Sequence, residues 1–167
     1  MNVRTAPTAP IAPLLEVKEK TQRLVAAAAA LGELTSLLIR SPEHSQYTIA
    51  DMEWLVVPAV LNRQFLIVRA QSPGEQTPLP GAAVMWASVS DEFDAMFKQN
   101  PGQRFTLTAE QRNSGDNIWI TDVVGVPMIW NRALDEMRDT VFKGKKVAMS
   151  RKEADGTMSV IEHQPRS

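Results

Sequence analysis

The sequence predicts an α/β domain in which helices pack on the faces of a mixed sheet. Three observations predict it. Residues 14–39 carry apolar side chains at helical spacing. Several short runs further on are rich in β-branched and aromatic residues. These helical and strand-like segments alternate along the chain and are separated by proline- and glycine-rich connections, the pattern of a helix-covered sheet.

The elements follow in order. Residues 1–13, with Pro7, Pro10 and Pro13, read as a flexible tail, and 14–167 as a single domain. Residues 14–39 are dominated by strong helix formers, with Leu14, Val17, Leu24, Leu31, Leu34 and Leu38 as the apolar stripe. The Ala26–Ala30 run reads as a close-packing helix face, and Pro42 ends the helix. Residues 41–50 read as an irregular loop. Asp51 reads as the N-cap of a second helix reaching about Asn62. Residues 64–69 and 82–88 are strand-like, joined by a stretch whose prolines and glycines allow only a connection. Ser90 caps a helix that Pro101-Gly102 closes, and one further short helix is allowed before residue 117. Residues 117–124, NIWITDVV, form the clearest strand. Residues 129–141 are amphipathic and helical, and 145–150 and 158–162 read as two closing strands around the turn EADGT.

Bulk composition narrows the function. The chain has 167 residues, is 44% hydrophobic and carries a net charge of −1. That balance gives no long-range field favouring nucleic acid or an acidic membrane. Cysteine is absent, which excludes disulfides, thiolate nucleophiles and cysteine-zinc sites and fits a cytoplasmic protein. The prolines near the N-terminus argue against a secretory leader. The longest apolar run, residues 24–31, falls short of the ~20 residues a membrane span needs.

Few residues can carry chemistry. Of two histidines, His163 lies among the last five residues of the chain, where termini fray, whereas His44 lies in an early loop. Asp122 interrupts an otherwise apolar strand, and regular alternation puts it on the face of Ile120 and Val124. A carboxylate there needs a partner. One reading is a structural ion pair with Arg132 or Arg138; the other is that it orients and charges a histidine. Two separated histidines make no metal cluster, so no metal is expected. Walker, G-x-G-x-x-G and G-x-S-x-G motifs are absent. Residues 112–117, RNSGDN, faintly echo the pyrophosphate loop of coenzyme-A acetyltransferases, but they open a strand and read as a tight turn.

Four blocks together resemble a known family, the toxin-activating lysine acyltransferases that modify RTX toxins such as hemolysin. They are LGELTSLLIRSPEHSQY, VVPAVLNRQFLI, PGAAVMWASVSDE and SGDNIWITDVVGVP, with weaker echoes in MRDTVF and VIEHQ. The resemblance runs in order from about Leu31 to His163. It keeps Ser-x-x-His and SGD…W…D intact. Tyr47-Thr48 stands where the family usually has Trp-Pro, and VGVP replaces APFG after Asp122.

The resemblance implies a GNAT-like fold with a mostly antiparallel sheet flanked by helices, and a homodimer. It implies transfer of a fatty acyl group from acyl carrier protein to internal lysines of a protoxin or RTX-like protein, with no bound cofactor. The family's histidine and aspartate fall on His44, as general base or as carrier of an acyl-histidine intermediate, and on Asp122, which orients it; its serine falls on Ser41, which bonds either the imidazole or the tetrahedral oxyanion. Trp86, Trp119 and Trp130 read as core or interface aromatics, one of which could line an acyl tunnel. The basic residues Lys143, Lys145, Lys146, Arg151 and Lys152 form a solvated edge or a dock for an acidic carrier protein. Two other classes stay open: a non-catalytic partner-binding relative, and a coenzyme-A-dependent acyltransferase acting on another acceptor.

Overall fold

A computed structural model of the chain describes residues 12–71, 74 and 76–165. The expected tail lies outside the described residues as far as residue 11. The first helix, α1 (Ala12–Ile39), begins two residues before the expected boundary, with Pro13 in its first turn, where a missing N–H costs nothing.

Five strands form one sheet in sequence order: β1 (Phe65–Ala70), β2 (Leu79–Val89), β3 (Asn117–Gly125), β4 (Val147–Lys152) and β5 (Met158–His163). All neighbours are antiparallel except β3 and β4, which run parallel. The mixed, mostly antiparallel sheet is as expected. The optional helix before residue 117 is not formed: residues 103–116 hold only turns and one isolated bridge, Ser88 to Asn113.

Alternation along β2 sorts the helices onto two faces. Ala83 and Met85 pack under α1 and under the short helices α2 (Met52–Leu55) and α3 (Val57–Leu61). Further along the same face, Ala87 and Val89 meet Phe97 of α4 (Asp91–Gln99). Val84 and Trp86 point the other way, onto Leu134 and Met137 of α5 (Pro127–Asp139). Because both faces are covered, β2 reads as a continuous apolar run.

The expected helix over 51–62 is two helices. Pro58 has no N–H for the carbonyl of Trp54, and its ring crowds that carbonyl, so the chain breaks at Val56. Asp51 does not cap in the expected way either. Its carboxylate accepts from the backbone N–H and hydroxyl of Thr48 and from the indole N–H of Trp54, bonds that hold its pKa below the ordinary value. Ser90 does cap α4, accepting from the Phe93 N–H.

α1 is used unevenly. Ala30, Leu34, Leu37 and Leu38 are core residues, while Val17, Leu24 and Val25 stay 64–65% exposed. Of the alanine run, only Ala27 and Ala30 reach the core. Residues Glu16–Ile39 are long and apolar enough to cross a membrane by length and composition, which the count of consecutive apolar residues did not anticipate. The last third of that stretch is a wall of the protein core.

Candidate active site

Ser41 and His44 are joined by a single 3₁₀ turn, Pro42–His44. A 3₁₀ helix has three residues per turn, so side chains three apart eclipse one another. Pro42 presets the turn's first φ, and the His44 N–H closes it on the Ser41 carbonyl at 3.0 Å. The Ser-x-x-His spacing therefore brings the serine hydroxyl onto the imidazole: Ser41 Oγ lies 2.7 Å from His44 Nδ1.

Asp122 reaches the same ring from 78 residues away. Its Oδ1 lies 3.0 Å from His44 Nε2. The sequence expectation of regular alternation needs correcting here. Met85 is opposite Asp122 and Trp86 opposite Ile120, so Thr121 is an extra, unpaired residue in β3. This β-bulge interrupts the alternation. Ile120 faces α5 with Val123, whereas Asp122 shares the Met85 and Val124 side, under the loop that carries His44. Pairing with β4 also stops at the bulge, at Ile120 opposite Met149.

The pair is nearly dry, with side-chain exposures of 2% for His44 and 8% for Asp122. A carboxylate only accepts, so Nε2 donates to Asp122. In the neutral ring Nδ1 then accepts from the Ser41 hydroxyl. Oδ1 also accepts from the Val123 N–H at 2.9 Å, and Oδ2 from Arg104 at 3.2 Å. The buried charge is thus fully partnered, as burial requires.

Arg104 is the residue that sequence reasoning missed. Its guanidinium, about half exposed, bonds Asp122 and lies 4.8 Å over the Tyr47 ring. Tyr47 in turn contacts His44, with ring centroids 5.7 Å apart. Burial raises the Tyr47 phenol above its ordinary pKa, partly offset by the Arg104 cation. Arg104 lies in the stretch without regular structure, and no spacing signal marks it. The stretch is anchored instead by the buried Arg112, which donates to the Trp86 carbonyl and to Gln64; burial without a carboxylate pulls the Arg112 pKa down to about 10.

The other expectations resolve as follows. Arg132 and Arg138 pair with Glu136 and Asp135 on their own helix, not with Asp122. Trp86 is on the α5 face, edge-on to Phe142 and away from His44. Trp119 is on the α4 side, packed on Phe97, with its N–H on Asp94 at 2.8 Å. Trp130 packs against the α5 cluster. His163 ends β5, opposite Val147. In the basic edge, Lys145 pairs with Asp116 and Arg151 with Glu153. Among the described residues no cluster of three or more metal-ligating side chains is present.

A hydroxyl, an imidazole and a carboxylate in hydrogen-bonded series are the equipment of acyl transfer, and here they sit where two parallel strands part on a helix-flanked sheet. The family model described as the RTX toxin acyltransferase family (HlyC) matches residues 23–164, and the chain belongs to that family. It is 30% identical over 94 residues to the leukotoxin-activating lysine-acyltransferase LktC of a Pasteurella haemolytica-like species, covering 56% of this chain and 52% of that protein. It is 28% identical over 92 residues to the RTX-II toxin-activating lysine-acyltransferase ApxIIC of Actinobacillus pleuropneumoniae, covering 55% and 52%. An uncharacterised protein of Synechocystis is 23% identical over 130 residues, 78% of this chain and 84% of that one. The matches to the curated acyltransferases thus span about half the length of those proteins.

Proposed function

We propose that this chain is a protein-lysine acyltransferase that moves a fatty acyl group from acyl carrier protein to internal lysines of a protoxin or RTX-like protein. One observation carries the reading: the series Ser41–His44–Asp122, closed at 2.7 and 3.0 Å inside a family-matched segment.

The chemistry fits these groups. A thioester is already activated, so the obstacle is the acceptor, since a lysine side chain with a pKa near ~10.4 is protonated in neutral water. A neutral imidazole supplies the general base that amine attack requires. Asp122 fixes the tautomer and stabilises the imidazolium as it forms. Beyond the Ile120–Met149 pair, the unpaired edges of β3 and β4 offer backbone groups to the donor's amide-bearing arm. The exposed Val17, Leu24 and Val25 of α1 favour a homodimer. A carrier-protein donor sets the reaction in the cytoplasm.

Co-expression with an unacylated leukotoxin, followed by mass spectrometry of the toxin, tests the reading. The expected result is a fatty acyl adduct on lysine that disappears in His44→Ala. Absence of transfer from acyl carrier protein to this toxin and to lysine peptides alike would remove the assignment.

A further inference from the structure

We infer that Ser41 is the group that takes the acyl chain, so that transfer passes through an ester on its Oγ. The inference rests on the proposed lysine acyltransfer and adds the identity of the nucleophile.

In the resting site the imidazole has no free nitrogen with which to attack the thioester. Both its nitrogens are engaged, Nδ1 by Ser41 and Nε2 by Asp122, and its side chain is only 2% exposed. An amine or thioester carbon could reach Nδ1 only by displacing the serine oxygen that lies 2.7 Å from it. Ser41 is the outward member of the series: it is half-buried, whereas His44 is fully buried. Its hydroxyl donates to Nδ1, the side of the ring opposite the carboxylate. That is the order of a serine hydrolase triad with the two ring nitrogens interchanged. The 3₁₀ turn holds the oxygen there through the backbone, so alignment does not depend on substrate binding.

The steps balance. Ser41 Oγ bonds to the thioester carbonyl carbon as its proton passes to Nδ1. The carbon–sulfur bond breaks, and the departing thiolate takes that proton. The acceptor lysine, having lost one proton to solvent, then bonds to the ester carbon and gives a second to Nδ1. The carbon–Oγ bond breaks, and Oγ recovers the proton. Thioester and lysine become thiol and amide, and the enzyme is unchanged.

The test uses the whole chain and acyl carrier protein charged with a series of saturated chains, without acceptor, quenched in acid and read by peptide mass spectrometry. One acyl group is expected on the Ser41 peptide, resistant to neutral hydroxylamine as an oxygen ester is, and discharged when unacylated leukotoxin is added. In Ser41→Cys the adduct becomes a thioester and turns hydroxylamine-sensitive, a change that a merely structural serine would not produce. An adduct on His44 that survives in Ser41→Ala overturns the inference. So does acceptor acylation by Ser41→Ala within about threefold of the wild-type rate; either result leaves the proposed function standing. A wild-type chain that discharges no donor and acylates no acceptor removes both.

Discussion

Replacing Asp122 with asparagine should separate what the carboxylate does for the fold from what it does for the reaction. The substitution keeps volume and removes the charge. The Val123 N–H bonded to Oδ1 keeps an oxygen in that position, so the new amide NH2 turns toward Arg104, donor against donor, where Oδ2 now accepts at 3.2 Å. Arg104 is about half exposed and can swing into water. The net cost to stability is therefore that of one modest hydrogen bond, about 1–2 kcal/mol. The reaction loses more. Without the carboxylate the imidazolium formed during proton transfer has no counter-charge in a site that is nearly dry. A neutral amide in this position of a triad costs on the order of a thousandfold or more in turnover, about 4 kcal/mol. Urea unfolding gives the first quantity, and single-turnover acyl transfer to leukotoxin the second. Turnover within about tenfold of wild type, with stability lowered by about 4 kcal/mol, would mean that Asp122 serves the fold, and would refute the reasoning.

Two further substitutions test neighbouring parts of the structure. Arg104→Ala should lower acyl transfer by about tenfold while shifting unfolding free energy by only about 0.5 kcal/mol, because a half-exposed ion pair adds little to stability; parallel kinetic and urea measurements check both. Lys98 pairs with Asp94 on its own helix, at 2.8 Å, and ties α4 to β5 through Glu162. Those bonds raise its pKa, and its own bond lowers that of Glu162. The Glu162 contribution is present above the ordinary carboxylate pKa and lost as pH falls through the depressed folded value. The Lys98 contribution is present below the ordinary lysine pKa and lost as pH rises through the raised one. Subtracting the stability of Lys98→Met from that of wild type across pH should give a plateau of about 1 kcal/mol or less that declines at both ends.

The fold was legible where local chemistry acts alone. The strands at 64–69, 82–88 and 117–124 stand within a few residues of their observed limits, and Ser90 caps α4 as its position predicts. Legibility failed where one residue overrides its neighbours. Pro58 splits a helix whose other residues favour continuity. The stripe of α1 has helical spacing throughout, but spacing cannot say that the sheet reaches only its second half. In the site, Ser41 and His44 were linked by a spacing that a 3₁₀ turn converts directly into contact. Asp122 was marked by the cost of a carboxylate in an apolar strand, and its pairing with His44 by the family resemblance. Arg104 carried no mark, because a lone arginine among turns looks like any solvated one.

The aim of Asp122 depends on the bulge that Thr121 makes, and this can be tested without touching the site. Regular alternation would put Asp122 with Ile120, against α5 and away from His44; the extra residue reverses that. Deleting Thr121 removes the bulge but keeps Asp122 opposite Met85, because the residue after Ile120 then falls on the His44 face by ordinary alternation. The ladder becomes regular and the buried core keeps its partners. The deletion variant should therefore fold cooperatively with its Met85–Asp122 register intact, measurable as cross-strand contacts by NMR. It loses the local twist with which a bulge re-aims its strand. A shift of about 1 Å in the carboxylate, in a site organised around bonds of 2.7 and 3.0 Å, is expected to slow transfer by about a hundredfold. Wild-type transfer by a correctly registered deletion variant would show that the bulge is incidental to the aim of Asp122. A slow variant with its register preserved would show that it is the bend in β3, and not the pairing alone, that turns a buried carboxylate toward the imidazole.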